Sequence, residues 1–449
     1  MTRRQLLSLT GGWVSSAALG AGAQSTPDQD ARDADITLHI SEVTTELAPG
    51  RSLKTVGYNG QVPGPLLRAT EGKSIAVDVW NDTREPQMVH WHGLHIPSDV
   101  DGAHEEGTPH VPANGHLRYV FTPRPAGSRW YHAHGAAGRN FHKTTYSGQF
   151  GMFVVEPKND LGKYDLEVPI ILHEWDGYLT DDGDVDYKLF SINGKLLGGG
   201  EPVRVRRSQR VLFRFLNASA TLSHRLALPG HRFKVIALDG NALAEARSVP
   251  VLELAPAERV DAFVEMDNPG VWILGETRDP QRSAGMGIVI EYAGERGVPR
   301  WARPAPFTWE YTFFGTAASP GFGAANPAPE PDRRFPLIIK PGSGHQWTIN
   351  GRSFPHTETL MVSENRRYRL IFDNQSAEAH PMHLHRHTFE ITRFNGKPTS
   401  GVFKDTVVVP AWRQVEVDVT ASSPGPTLMH CHQQFHMDFG FMMMMQYSG

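Results

Sequence analysis

The chain has 449 residues, a formal net charge of −4 and a single cysteine. That length suits two to four domains, and one cysteine excludes an internal disulfide framework. The balance of charge leaves no basic footprint for nucleic acid, and no long apolar run after the leader predicts a membrane span in the mature chain.

The N-terminus reads Met1-Thr2-Arg3-Arg4-Gln5-Leu6-Leu7 and continues through a modestly apolar stretch to Ala21-Gly22-Ala23. Paired arginines, a short apolar region and a small-x-small end resemble a twin-arginine export signal over residues 1–23. A periplasmic or secreted location follows from that reading. Beyond it, 44 glycines and 33 prolines with few long stretches of helical period predict many short strands joined by turns. A pattern then recurs three times. Each unit opens on a turn: Tyr58-Asn59-Gly60-Gln61, Ile192-Asn193-Gly194-Lys195 and Ile349-Asn350-Gly351-Arg352. Asn-Gly suits a tight turn because both residues tolerate positive φ. Some way further on, each unit has an alternating segment closed by asparagine: Ser74 to Asn81, Arg210 to Asn217 and Arg367 to Asn374. The period of two, as in Arg210-Val211-Leu212-Phe213-Arg214-Phe215-Leu216, is that of a half-buried strand. Asn81, Asn217 and Asn374 also open N-x-[ST] triplets, read here as turn residues of the repeat and not as glycan acceptors. Three strand-rich units of this size predict an all-β chain of three consecutive Greek-key β-sandwich domains, at residues 35–157, 164–295 and 303–449. Boundary signals fall near Pro157–Tyr164 and across the Gly/Pro/Ala-rich run from Gly315 to Pro331.

Four histidine clusters stand out against this background. In chain order they are His90-Trp91-His92-Gly93, Trp130-Tyr131-His132-Ala133-His134-Gly135, His380-Pro381-Met382-His383-Leu384-His385 and His430-Cys431-His432, with His436 close behind. In a strand, residues i and i+2 share a face, so each H-x-H offers two imidazoles to a common point. Neutral imidazole is the commonest metal ligand, and thiolate with two imidazoles is the donor set of a blue-copper site. One such pair alone is a weak signal. Four of them, one holding the only cysteine, are hard to read as chance.

In order and spacing these clusters resemble the signature of the multicopper oxidases, the laccase-like blue-copper enzymes, over nearly the whole chain after the leader. The resemblance implies cupredoxin-like domains and four coppers. It implies a type 1 copper held by His380, Cys431 and His436, and a type 2 copper held by His90 and His383. It further implies a coupled type 3 pair held by His92, His132, His134, His385, His430 and His432. The ligands would come from the first and third units, with the second as spacer. The activity implied is one-electron oxidation of phenols or aromatic amines at type 1 copper, coupled to four-electron reduction of O2 to water at the trinuclear cluster.

Two departures and one relay are informative. The axial place in the family falls here on Phe441, which cannot donate to copper and so implies a type 1 site of relatively high potential. A shift of one residue would put Met442 there instead. Asp101, in Asp99-Val100-Asp101-Gly102, matches the acid that relatives place near the type 2 copper, where a carboxylate can relay protons; a turn aspartate is the plainer reading. At the second acidic position this chain has Gln434, Phe435 and Met437, with an acid only at Asp438, which leaves the second proton relay unidentified. His224 and His231, in the middle unit, read as structural. His104, Glu105 and Glu106 read as a solvated loop, and two of Met442 to Met445 as core. The alternatives are a periplasmic oxidase of cuprous or other metal ions, although no Met-rich insert is present, and a non-catalytic periplasmic scaffold on the same fold. A two-domain copper nitrite reductase would leave the third repeat unexplained.

Overall fold

The computed structural model describes residues 33–157, 163–181, 183–316 and 330–448. The leader, most of the Gly315–Pro331 run and part of the first boundary lie outside these residues. Strands dominate, arranged as three successive pairs of sheets. The first pair has four strands in each sheet, the second six and five, and the third seven and five. These are the three Greek-key sandwiches that the repeat predicts, cupredoxin-like as the resemblance implies. Among the described residues no helix is long and apolar enough to cross a membrane.

The repeat is visible atom by atom. Asn59, Asn193 and Asn350 adopt φ of 51°, 52° and 52°, and the glycines after them 71°, 71° and 76°. Each of these asparagines clamps the opening strand of its unit, Oδ1 accepting from the backbone of His39, Ile171 or Ile338. In each unit that opening strand runs parallel to the strand ending in asparagine: Ile36–Ala48 beside Ile75–Asn81, Leu166–Leu179 beside Arg210–Asn217, and Arg333–Pro341 beside Arg367–Asn374. The closing asparagines are buried, and their amides tie neighbouring loops together. Asn374 Nδ2, for example, donates to the carbonyls of Glu378, Val409 and Pro410. These side chains are occupied as turn builders.

Alternation predicts one dry face for Arg367–Asn374, and that strand is half-buried as expected: Tyr368, Leu370 and Phe372 face the core, while Arg367 and Arg369 pair with Asp418. Its counterpart Arg210–Asn217 departs from the pattern, being buried on both faces. The reason is docking. Leu216 joins a core with Trp130, Phe150 and Leu47 of the first unit, and Arg214 reaches Ser128 and Asp261. A second continuous core runs through the middle and third units.

Candidate metal centre

Each H-x-H pair sits at the end of a strand. His90 and His92 lie on Val89–His92, whereas His134, His385 and His432 lie just past the ends of Gly127–Ala133, His380–Leu384 and Thr427–Cys431. Register then sorts the donors. His383 lies opposite His430, and Met382 opposite Cys431, across the antiparallel pair. Opposed residues share a face and successive ones alternate. His383 and His430 therefore face one way, and Cys431 with His380 the other. Two clusters form back to back, joined by the tripeptide His430-Cys431-His432.

The larger cluster gathers eight histidines from the first and third units. His92, His132 and His432 have ring centroids 5.1–5.7 Å apart. His134, His385 and His430 lie 5.1–5.5 Å apart, and His90 and His383 5.8 Å. Several triplets have donor atoms close enough to share an ion, among them His134, His385 and His430. All eight are buried, His134 the least so at 8% exposure, where it borders a cavity of about 550 Å3 with Met88, Glu85, His142 and Lys143. The smaller cluster lies in the third unit alone. Cys431 Sγ is 4.0 Å from His380 Nδ1 and 3.7 Å from His436 Nδ1, and the two nitrogens are 3.3 Å apart. His436 stands on the short helix Gln434–Asp438.

These donors fit copper on their own chemistry. A buried polar atom without a partner is costly, yet His90 Nε2, His92 Nδ1, His132 Nε2, His134 Nε2, His383 Nε2 and both nitrogens of His432 have none among the described residues. His385 and His430 turn their Nε2 atoms on each other at 3.1 Å. The outward nitrogen of most rings is held by a fixed acceptor. His90 Nδ1 donates to the Asp101 carbonyl, His383 Nδ1 to the Asp405 carbonyl, His92 Nε2 to Asp405 Oδ1 and His385 Nδ1 to Asp101 Oδ2. Such partners fix the tautomer and leave one lone pair facing inward, as metal-binding imidazoles require. Burial, followed by the charge of neighbouring rings, holds His92, His132, His134, His383, His385 and His432 well below the usual imidazole range, and His430 at about 4. Neutral imidazoles are the ligating form. Burial pushes the Cys431 thiol up, so a thiolate there calls for a cation beside it.

Phe441 is buried with its ring 5.0 Å from that of His380, and it stacks on Trp347, which also abuts both His380 and His436. Met442 lies opposite His430 and so shares the face turned away from Cys431. Met443 and Met445 are core, as alternation predicts. Asp101 is fully buried, with Oδ2 3.1 Å from His90 Nδ1 and 2.9 Å from His385 Nδ1. Glu106 departs from the solvated-loop expectation: it is 2% exposed, accepts from Leu428 N and lies 3.4 Å from His385 Nδ1. Burial, then the charge of Asp101, raises its carboxyl well above the usual range. Asp438, by contrast, accepts from the backbone of Ala137 and Gly138 and from Gln434, which ties the helix to the first unit.

Sequence reasoning missed Asp405, Glu378 and Arg259. Glu378 lies 3.1 Å from His436 Nε2 and is 40% exposed, at the solvent side of the smaller cluster. Arg259, from the middle unit, binds Asp405 through both terminal nitrogens at 2.8 and 2.5 Å. Nothing in the local sequence marks these residues, because Asp405 and Glu378 meet their histidines, and Arg259 meets Asp405, only through folding. His224, in the middle unit, bridges Glu174 and Glu276 at 3.1 and 3.2 Å, a buried structural tie.

Comparison with known proteins agrees with this geometry. Three profiles described as multicopper oxidase match residues 39–160, 186–289 and 330–448. The chain is 29% identical to multicopper oxidase MmcO of Mycobacterium tuberculosis over 96% of its length and 90% of that protein's. It is 26% identical to Laccase-2 of Fomitopsis schrenkii, over 90% and 88% of the two chains. Among solved structures, it shares the fold of Fet3p, described as a multicopper oxidase that functions in iron import (TM-score 0.77, 17% identity, 92% and 90% coverage). It also shares that of a multi-copper oxidase from Pseudomonas thermotolerans (TM-score 0.73, 23% identity, 93% and 100% coverage). Buried, unpartnered imidazoles in one cluster, a lone cysteine between two histidines in the other, and matching profiles in all three units lead to one conclusion: this chain belongs to the multicopper oxidase family, copper-binding oxidoreductases that use O2 as acceptor.

Proposed function

We propose that this protein is a laccase-type oxidase that takes electrons singly from phenols or aromatic amines and delivers four to O2, forming water. The observation that carries the reading is the presence of two buried donor sets joined by His430-Cys431-His432, one with a thiol and one with eight histidines. His380, Cys431 and His436 would hold a type 1 copper, His90 and His383 a type 2 copper, and the other six histidines a type 3 pair, four coppers in all. Bound copper would supply one-electron redox chemistry at the first set and a place for O2 at the second.

The chain's own residues do the rest. Phe441 packs against His380 with a ring that cannot donate to a metal, which would favour a high potential for a copper held by the first set. His436, beside exposed Glu378, presents the solvent edge at which a small reductant would deliver its electron. The cavity ending on His134 gives small molecules access to the second set. Asp101, bonded to His385 and flanked by buried Glu106, is placed to hold a proton close to where oxygen is reduced. The leader pattern at residues 1–23 supports export to the periplasm or beyond.

A cuprous or metal-ion oxidase is the second reading, favoured by the exposed carboxylate of Glu378 at the same edge. Oxygen consumption driven by a phenol and by Cu(I), compared as kcat/KM on the purified enzyme, separates the two. A preference for Cu(I) by orders of magnitude overturns the laccase reading.

A further inference from the structure

The middle unit contributes none of the candidate ligands, yet one of its side chains reaches the larger cluster through a single intermediary. Arg259 begins the strand Arg259–Glu265 and is fully buried. Its guanidinium grips Asp405 of the third unit with both terminal nitrogens, and its Nε donates to the Ser128 carbonyl of the first. Three units therefore meet on one cation. Asp405 in turn accepts from His92 Nε2 at 3.1 Å through Oδ1, the oxygen also bonded by Arg259 Nη1.

His92 differs from its neighbours in the nitrogen it offers. His90, His132, His134 and His383 leave Nε2 unpartnered, whereas His92 leaves Nδ1. Only an acceptor held at Nε2 keeps the proton there and the Nδ1 lone pair facing inward. The backbone beside His92 is shaped to the same end. Gly93 has φ +83°, and a Cβ at that position would lie 2.7 Å from Asp405 Oδ2 and 2.8 Å from Arg259 Nη2. The ion pair is packed against the chain at the residue after the ligand, so that position admits only glycine without displacement.

We propose that Arg259 is a positioning residue for the trinuclear site: by holding Asp405 it fixes the His92 tautomer and ring, so that the middle unit completes a metal site to which it gives no ligand. This rests on the reading that His92 is a type 3 ligand. Lys404, Asp239 and Glu258 extend the same buried network, with Lys404 2.9 Å from each of the two acids. The Asp239 carboxylate accepts from the backbone of Asp405 and Thr406, which pins the segment that carries the intermediary.

The test compares Arg259→Gln, Arg259→Lys and Asp405→Asn with Arg214→Gln, which removes a buried cation bound to Glu167, Asp261 and Ser128 but touching no candidate ligand. Copper per chain is measured after competition with a chelator, together with the blue absorption of the thiolate site and the near-ultraviolet absorption of a coupled copper pair. In Arg259→Gln the blue band persists while the near-ultraviolet band and its copper are lost, with trinuclear affinity falling roughly 10- to 100-fold. Arg259→Lys, which keeps the charge without the fork, lies between, and Arg214→Gln keeps both bands. Should Arg259→Gln fail to fold, Gly93→Ala keeps both charges and crowds the pair, and the same selective loss is expected. Full copper with an unaltered near-ultraviolet band in these variants overturns the proposal, as does an equal loss in Arg214→Gln. Absence of that band from the wild-type protein overturns the ligand reading itself, which separates the two failures.

Discussion

The two donor clusters are built by different means. The His380, Cys431 and His436 set belongs to one unit and is laid down by the register of two adjacent strands and a short helix. The eight-histidine set exists only when the first and third units dock, and a charge network from the middle unit braces one of its rings. A site made within one sheet follows from local pairing. A site made between sheets follows from the packing of whole domains. The first should therefore tolerate disturbance of the domain interface, and the second should not.

The largest expected effect comes from Cys431→Ser. It removes the only thiol, abolishes the blue absorption and drives reductant-dependent oxygen consumption to background, while the near-ultraviolet band of the histidine cluster remains. Loss of both bands together would show that the clusters do not assemble separately. Next in size is Asn374→Ala, which leaves three loop carbonyls without their buried donor and lowers stability by about 2–3 kcal/mol. Because two of those carbonyls belong to Val409 and Pro410 and the third to Glu378, the thiolate site should loosen first. Urea titration followed by the blue band and by tryptophan fluorescence checks this. Phe441→Met supplies a thioether at the axial side and should lower the reduction potential, measured by redox titration, without loss of copper. An unchanged potential would place the axial position elsewhere.

The smallest effect concerns the middle unit by itself. His224 is held above the usual imidazole range, since the bonds from Glu174 and Glu276 outweigh the opposing effect of burial. Its stabilisation is complete below the unfolded pKa and lost as pH rises through the higher folded value. Glu276 is depressed from 4.5 to about 2 because His224 and Arg278 outweigh its burial, so its contribution is present above 4.5 and lost as pH falls towards 2. The Tm advantage of the wild type over His224→Gln should therefore peak in mildly acidic buffer and decline on either side. A flat difference across pH would show that the imidazole is not charged in the folded protein.

Sequence alone determined the all-β character, the threefold recurrence and which histidines and cysteine stand out as candidate donors, because these depend on short-range rules. Asn-Gly accepts positive φ, alternation sets a strand's faces, and imidazole or thiol is chosen for what it binds. It also placed Phe441 and Asp101 beside their clusters. Tertiary structure alone decided the rest. That Arg210–Asn217 is dry on both faces, that Glu106 is buried, and that Asp405 and Arg259 stand behind His92 all depend on one domain closing over another. A lone acid or arginine carries no periodicity and no motif; its meaning comes from the partner it meets across the chain, and low-dielectric burial gives that meeting its strength.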